Sequence, residues 1–297
     1  MIDVGAKHRP GPREPVTIER REPSRLVPAV ERREPSQLAL AISDIREGLA
    51  MWQLWGTLGW HDIRQRYRRS VLGPFWITLS MGIMVAGLSV LWATLFQLSI
   101  PEYLPYFALG FIVWTLISSL VIEGCTAFYG SEGVIKQIPV PLSVHVYRIV
   151  WRNLIICAHN LTIYVVIMLV LGIWPGVTGF LLAILGFALL AVIGTALGFL
   201  FGILSARYRD IPPLVMSILQ MAFFFSPILW KPESLPDRQY MVTYNPFYYL
   251  IEIVRRPLLG IVPDLTTFAT VVGITLLTCL VAGAFFVRFR KRIAYWV

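Results

Sequence analysis

The sequence predicts an all-α membrane protein: six transmembrane helices, an N-terminal amphipathic interface helix and a re-entrant helix pair in the long outer loop. Three observations lead there. Hydrophobic residues make up 57% of the 297-residue chain and charged residues only 14%, against roughly 45–50% and about 25% in soluble proteins. Six apolar runs, at about 74–98, 105–128, 151–172, 178–204, 212–230 and 264–287, mostly reach the ~20 residues that cross a hydrocarbon core at 1.5 Å rise per residue. Backbone groups in lipid must be satisfied within their own segment, which makes these runs helices. The basic residues are also one-sided. Of 26 Lys and Arg, 22 fall in the termini and connections of one side, and four (Lys231, Arg238, Arg255, Arg256) in one loop of the other. Basic residues stay inside, so both termini are expected in the cytoplasm of a multi-pass protein. The net charge of +9 then reads as a topology signal, and no nucleic-acid partner is expected.

In chain order, residues 1–40 come first. Pro10, Pro12, Pro15, Pro23, Pro28 and Pro35 lie among many charges, and the octet at 19–26 nearly recurs at 31–38. This is the composition of a disordered cytoplasmic arm. No apolar run follows its first basic residues, so it does not read as a signal peptide. Residues 41–70 supply the interface helix and a basic segment. Ile45, Leu49, Trp52, Trp55 and Leu58 recur at spacings of three and four and share one helical face, with Asp44, Arg46, Glu47 and Gln53 largely off it. With Trp60 nearby, this helix is expected to lie at headgroup level. Between Asp62 and Arg69, four arginines (Arg64, Arg66, Arg68, Arg69) surround Tyr67. A positive-inside anchor and a binding surface for acidic headgroups or pyrophosphate both fit, since guanidinium matches phosphate geometry.

Residues 71–297 carry the six spans. The fifth is the shortest and opens on Pro212-Pro213, behind Arg207-Tyr208-Arg209-Asp210, a charged tight turn. Residues 231–263 form the long outer loop, punctuated by Pro232, Pro236, Asn245-Pro246, Pro257 and Pro263. Within it Phe247, Tyr248, Leu250, Ile251 and Val254 make an apolar stripe too short to span, suited to a re-entrant or interfacial helix that gates an exit or covers the bundle.

Several chemistries lack their residues. There is no phosphate-binding G-x-x-x-x-G-K-[ST] loop: none of the four lysines (Lys7, Lys136, Lys231, Lys291) precedes Ser or Thr. Neither a G-x-S-x-G elbow nor an H-E-x-x-H pair occurs. No catalytic residue, metal site or cofactor of its own is expected. Cys125, Cys157 and Cys279 sit in apolar runs as buried small hydrophobes. Glu123 and His159 are ionisable groups inside spans and functional candidates by default. The preferred reading places Glu123 near the cytoplasmic end, reaching water or a backbone partner, and has His159 bonding between helices. Two other classes compete with transport powered by a partner: a membrane-embedded enzyme of glycan or lipid assembly, and a proton-coupled secondary transporter relying on Glu123 and His159.

The run Arg66-Tyr67-Arg68-Arg69-Ser70-Val71-Leu72-Gly73-Pro74-Phe75-Trp76 before the first span resembles the corresponding motif of polysaccharide-export ABC permeases. These are the type-2 ABC exporter membrane subunits that move O-antigen, capsule, teichoic acid or related glycans. Arg207-Tyr208-Arg209-Asp210-Ile211, Ser226-Pro227-Ile228 and Asn245-Pro246 followed by Leu250-Ile251-Glu252 and Arg255 match in order and spacing. The likeness runs from about residue 45 to the C-terminus. It implies a homodimeric permease in a bacterial cytoplasmic (inner) membrane, powered by a separate ABC ATPase subunit dimer that uses ATP and magnesium. The implied substrate is a polyprenyl-pyrophosphate-linked polysaccharide, its headgroup met at the cytoplasmic entrance by Arg64, Arg66, Tyr67, Arg68 and Arg69. ATPase coupling is implied for Glu132, Lys136, Gln137 and Pro139, between spans two and three, with Arg207, Arg209 and Asp210. The implied outer gate is Asn245, Pro246, Phe247, Tyr248 and Arg255.

Overall fold

The computed structural model describes residues 36–66, 68, 73, 75–234 and 240–297, and every regular element among them is helical. The chain begins with two helices, α1 (Gln37–Ala50) and α2 (Trp52–Arg66). Ser36 caps α1 by accepting the Ala39 N–H at 3.1 Å, satisfying one donor that a helix start leaves free. Helix α1 thus begins inside the stretch assigned to the arm, whose residues 1–35 lie outside the described residues. The single interface helix expected at Ser43–Gly59 is broken at Met51, which leaves helical geometry with φ −80° and ψ 38°.

The docked face is set largely by small and polar residues. Ala41, Asp44, Gly48, Gly59 and Ile63 are buried, while Leu49 and Trp52 are 57% and 61% exposed. Close approach explains the choice: a Cβ at Gly48 would fall 2.0 Å from Ser143 Oγ. Small residues let the pair lie tight on the bundle; Trp55 packs against Tyr147 and Trp151, and Leu49 and Trp52 of the stripe are left facing outward.

Among the described residues, five helices are long and apolar enough to cross a membrane: α3 (Phe75–Leu95), α4 (Ile100–Cys125), α6 (Ser143–Leu171), α7 (Gly176–Arg207) and α11 (Leu265–Trp296). A six-residue helix, α5 (Glu132–Gln137), precedes α6. Local chemistry sets several limits. Pro101 and Glu102 open α4, Gly172 ends α6 with φ 67°, and Asp264 precedes α11. Helix α4 is the central post, with 67% of its most apolar window buried against 17% for α3 and for α11. Its contact with α7 is backbone to backbone: a Cβ on Gly124 would lie 2.9 Å from the Gly198 Cα. In an apolar surround, such small-residue contacts supply the packing that a hydrophobic driving force cannot.

The fifth predicted run folds differently. It forms α8 (Ile211–Phe225), 15 residues or about 22 Å at 1.5 Å per residue, and stops at Ser226. Proline disfavours helical geometry in the residue before it and supplies no N–H, and Ser226, preceding Pro227, is extended with φ −88° and ψ 144°. The carbonyls this break frees are taken up by other helices. The Tyr103 hydroxyl donates to Leu229 O at 2.6 Å and the Tyr106 hydroxyl to Pro227 O at 3.0 Å and Trp230 O at 3.2 Å.

After α9 (Tyr240–Thr243), α10 (Pro246–Leu258) packs against α4, α7 and α11. Its first turn reaches inward: the Phe247 ring meets Trp114 at 5.3 Å, about 21 Å along α4 from its start. Its last turn lies near the start of α7, with Pro257 O against Gly179.

Polar contacts collect α1, α2, α5, the ends of α4, α7 and α11 and the starts of α6 and α8 at one end, the basic end. There the buried Asp44 (2% exposed) accepts the N–H groups of Leu142 and Ser143 at 3.2 and 3.0 Å and pairs with Arg290 at 2.8 Å. One carboxylate therefore ties α1 to the start of α6 and the end of α11. Its position off the apolar stripe, read from spacing alone, gave no hint of this. Replacing Asp44 with Ala strips these groups of their buried partner, and we expect a loss of roughly 3–5 kcal/mol. Glu47→Ala, one turn on and exposed, should stay within about 0.5 kcal/mol. Thermal unfolding in detergent compares the two, and equal midpoints would remove the clamp.

Candidate functional site

At the basic end a groove of about 430 Å³ opens between α3, α4 and α6. Each helix contributes one stripe. Helix α4 presents Phe111, Thr115, Ser119 and Glu123 at spacings of four, and α6 presents Asn153 and Asn160, seven apart. Trp76 and Ser80 of α3 close the third side. Residues four apart share a helix face, so these polar groups line up within otherwise apolar runs. The Asn160 side-chain oxygen is buried without a hydrogen-bond partner, and a buried acceptor left unpaired is costly. A groove of hydroxyl and amide groups with aromatic walls suits a polar, hydroxyl-bearing ligand.

An ion-pair chain adjoins this groove through Glu123 and Asn153. Arg148 Nε and Arg152 Nη1 reach Asp62 Oδ2 at 2.7 and 2.6 Å, and Arg148 Nη2 bonds the other Asp62 oxygen. Arg152 Nη2 and Asn153 Nδ2 then reach Glu123 Oε2 at 2.7 and 2.6 Å. Arg66 approaches Glu123 Oε1 at only 3.4 Å and remains half exposed. Glu123 therefore has side-chain partners, and the water or backbone contact expected for it gives way to two arginines and an asparagine. Its engagement there weakens the carrier reading. His159, expected to bond between helices, instead places Nδ1 2.8 Å from Ile155 O of its own helix, because that carbonyl lies one turn back.

The five predicted headgroup residues are placed unevenly. Arg64 and Arg68 are exposed, Arg66 sits at the mouth of the groove, and Tyr67 and Arg69 lie outside the described residues.

The predicted coupling residues gather on one exposed face of the basic end. Lys136 Nζ bonds Glu132 at 2.7 Å across one turn of α5, and that hydrogen bond holds the Glu132 carboxyl below the ordinary range. The Arg209 guanidinium lies 4.6 Å from the Tyr129 ring centre, joining the α7–α8 turn to the turn before α5. Arg207 lies over Trp296 at 5.4 Å and Tyr208 at 5.8 Å. Gln137, Pro139 and Asp210 are exposed beside them, as are the apolar Val134 and Ile138.

At the opposite end, the predicted gate residues form a latch between α8 and α10. Asn245 Oδ1 caps α10 by accepting the Phe247 N–H at 2.9 Å, and Nδ2 donates to Phe225 O at 3.2 Å and Ser226 Oγ at 3.1 Å. Pro246 occupies the first turn, where its missing N–H costs nothing. The Tyr248 hydroxyl accepts from Arg256 at 3.2 Å. Arg255 is 0% exposed. It bonds Glu252, donates to Pro227 O at 2.9 Å and lies 3.8 Å from the Tyr106 ring centre.

The sequence reading missed the α4 stripe and its α6 partners. The signal was present as Thr115, Ser119 and Glu123 at a period of four, but single hydroxyls in an apolar run resemble helix-internal bonding, which Thr115 does make to Phe111 O at 2.8 Å. Cys279, expected to be buried, is exposed on α11, where it lines an open cavity with residues of α1, α2, α6 and α7. Among the described residues no group of three or more His, Cys, Asp or Glu side chains is placed to hold a metal ion.

Comparison with known proteins adds the family. The sequence model of the ABC-2 type transporter family matches residues 53–259. An O-antigen export system permease protein RfbA from Myxococcus xanthus is 24% identical over 194 residues, covering 64% of this chain and 74% of the relative. A protein of the same name from Klebsiella pneumoniae is 23% identical over 195 residues, with the same coverage.

Truncating Glu123 to Ala leaves Arg152 and Asn153 facing each other in a part-buried site, and we expect a loss of about 2–3 kcal/mol in thermal unfolding. Arg66→Gln, at the solvent-facing rim, should cost less than about 1 kcal/mol. Comparable losses would mean that Arg66 is part of the structural chain.

Proposed function

The chain belongs to the ABC-2 type transporter family, and on that premise we propose that it is the permease subunit of an ATP-driven exporter. Its cargo in this reading is a lipid-linked polysaccharide such as O-antigen, carried on a polyprenyl pyrophosphate across the cytoplasmic membrane. The observation that carries the reading is the family match over residues 53–259, which takes in the groove rimmed by Arg66. O-antigen export permeases among the relatives supply the substrate class.

Three features of the chain support this mechanism. Arg64, Arg66 and Arg68, with Arg69, meet the pyrophosphate, because guanidinium groups bind phosphate oxygens in pairs. The hydroxyl and amide groups of the groove then replace water around the first sugars. The exposed patch of Glu132, Lys136, Gln137, Pro139, Arg207, Arg209 and Asp210 receives the ATPase subunits, whose ATP and magnesium drive the movement. A push there reaches α1 and α11 through Asp44, which accepts from the N–H groups at the start of α6. Six crossings follow if α8 and the extended segment behind it count as the fifth. The basic end faces the cytoplasm, where positive charge is retained. A second copy covers the open apolar faces of α3 and α8, where Ile83, Leu91, Ile218 and Phe224 are more than half exposed. The latch between α8 and α10 holds the outer gate.

Two measurements test this. Replacing Arg64, Arg66, Arg68 and Arg69 with Gln should lower surface glycan roughly tenfold or more, with membrane levels of the protein unchanged; normal export would leave topology as their only role. Exchanging the charges with Glu132→Lys and Lys136→Glu keeps the ion pair but inverts the surface seen by a partner. Export should fall and ATPase turnover should lose its response to substrate, whereas unchanged docking and export would remove this face from the coupling surface.

A further inference from the structure

A second cavity, of about 370 Å³, lies between α7 and α11 at the basic end, apart from the groove. Its walls are apolar, with Ile203, Leu204 and Phe289 among them, and its rim carries Arg207, Arg292 and Trp296. Both helices are long and apolar enough to cross a membrane. Leu276, Leu277 and Leu280 of α11 are 60%, 63% and 71% exposed, which fits an apolar surround.

Three arginines at the basic end, Arg148, Arg152 and Arg290, are committed to carboxylates. Among the described residues, Arg207 and Arg292 have no carboxylate partner. Arg207 is instead stacked over Trp296 at 5.4 Å. A guanidinium that lies over a ring and has no carboxylate partner keeps N–H groups for phosphate oxygens. Two unpaired cations above an apolar slot, beside an indole suited to headgroup level, match one ligand chemistry in each part.

We propose that this cavity seats an anionic membrane phospholipid, its phosphate on Arg207 and Arg292 and an acyl chain along Leu204 and Phe289. A free phosphate would use the rim and leave the slot empty. A partner protein would use the rim from the water side. The assignment is independent of which substrate the protein exports. Occupancy would brace α7 against α11 beside the α7–α8 turn, tying the coupling face to the acidity of the surrounding lipid.

Native mass spectrometry of the purified full chain in detergent, with phosphatidylglycerol or phosphatidylcholine of identical chains, tests the assignment. Phosphatidylglycerol should be retained in preference to phosphatidylcholine. Arg207→Gln with Arg292→Gln should weaken that retention about thirtyfold. Leu204→Phe, which fills the slot and keeps both arginines, should weaken it as well. If the double variant is not recovered, Arg292→Gln alone and Leu204→Phe carry the test. Undiminished retention in these variants would overturn the proposal. So would displacement of the lipid by millimolar inorganic phosphate, which would point to an anion rim. Loss of ATPase-subunit binding with lipid retention intact would assign the rim to a protein contact instead.

Discussion

Pro227, Leu229 and Trp230 offer backbone carbonyls beside an apolar bundle, and each accepts a hydrogen bond from Tyr103, Tyr106 or Arg255. That pattern expresses the constraint on which the rest of the fold depends: away from water, a polar group must find its partner inside the protein. Helix α8 can end early only because α4 brings two tyrosines to meet it. Arg255 can be fully buried only because Glu252, Pro227 O and the Tyr106 ring surround it. Removing one member of such a set leaves the others unpaired in a low-dielectric interior, so the set is held together by the cost of breaking it.

The same requirement shapes the basic end, with a different result. Asp44 and Asp62 sit on the two interface helices, and their partners come from α6, α11 and the connection before α6. Docking of α1 and α2 is therefore electrostatic at its anchor points and close-packed between them, at Gly48 and Gly59. Trp55 adds a ring contact with Tyr147 and Trp151 of α6, while the exposed Leu49 and Trp52 do not hold the pair to the bundle. They are left for the surrounding membrane, which is where an amphipathic stripe of that composition is at lowest free energy.

Function grows out of the places where the pairing is incomplete. Glu123, Arg152 and Asp62 hold one another, but Arg66 reaches Glu123 only at 3.4 Å, and Arg152 Nε and the Asn160 oxygen are buried without a partner. Arg66 and Asn160 both line the groove, the proposed place of a ligand. Arg207 and Arg292 at the α7–α11 cavity are the second such place. The proposed coupling face has the reverse character. Its Glu132–Lys136 pair is exposed and weak, which leaves it free to be rearranged by a docking partner.

Much of the fold was legible in the chain itself. Composition, the lengths of the apolar runs and the one-sided arginines determined a helical membrane protein with a basic end, because burial in lipid constrains every residue of a span in the same way. Local punctuation was legible in part: Asn245-Pro246, read as a break in the outer loop, opens a helix, but Ser226-Pro227, read as lying inside the fifth run, ends one. Tertiary structure alone decided which residues meet. Asp44 lies off the apolar stripe yet is buried, since its partners are 98 and 246 positions away. A linear reading singles out Glu123 as an ionisable group within a span and Arg255 through the family motif, but it does not give their partners, which other helices deliver. A sequence carries the period of each helix face, but the choice between facing lipid, water or another helix is made when all the faces pack at once.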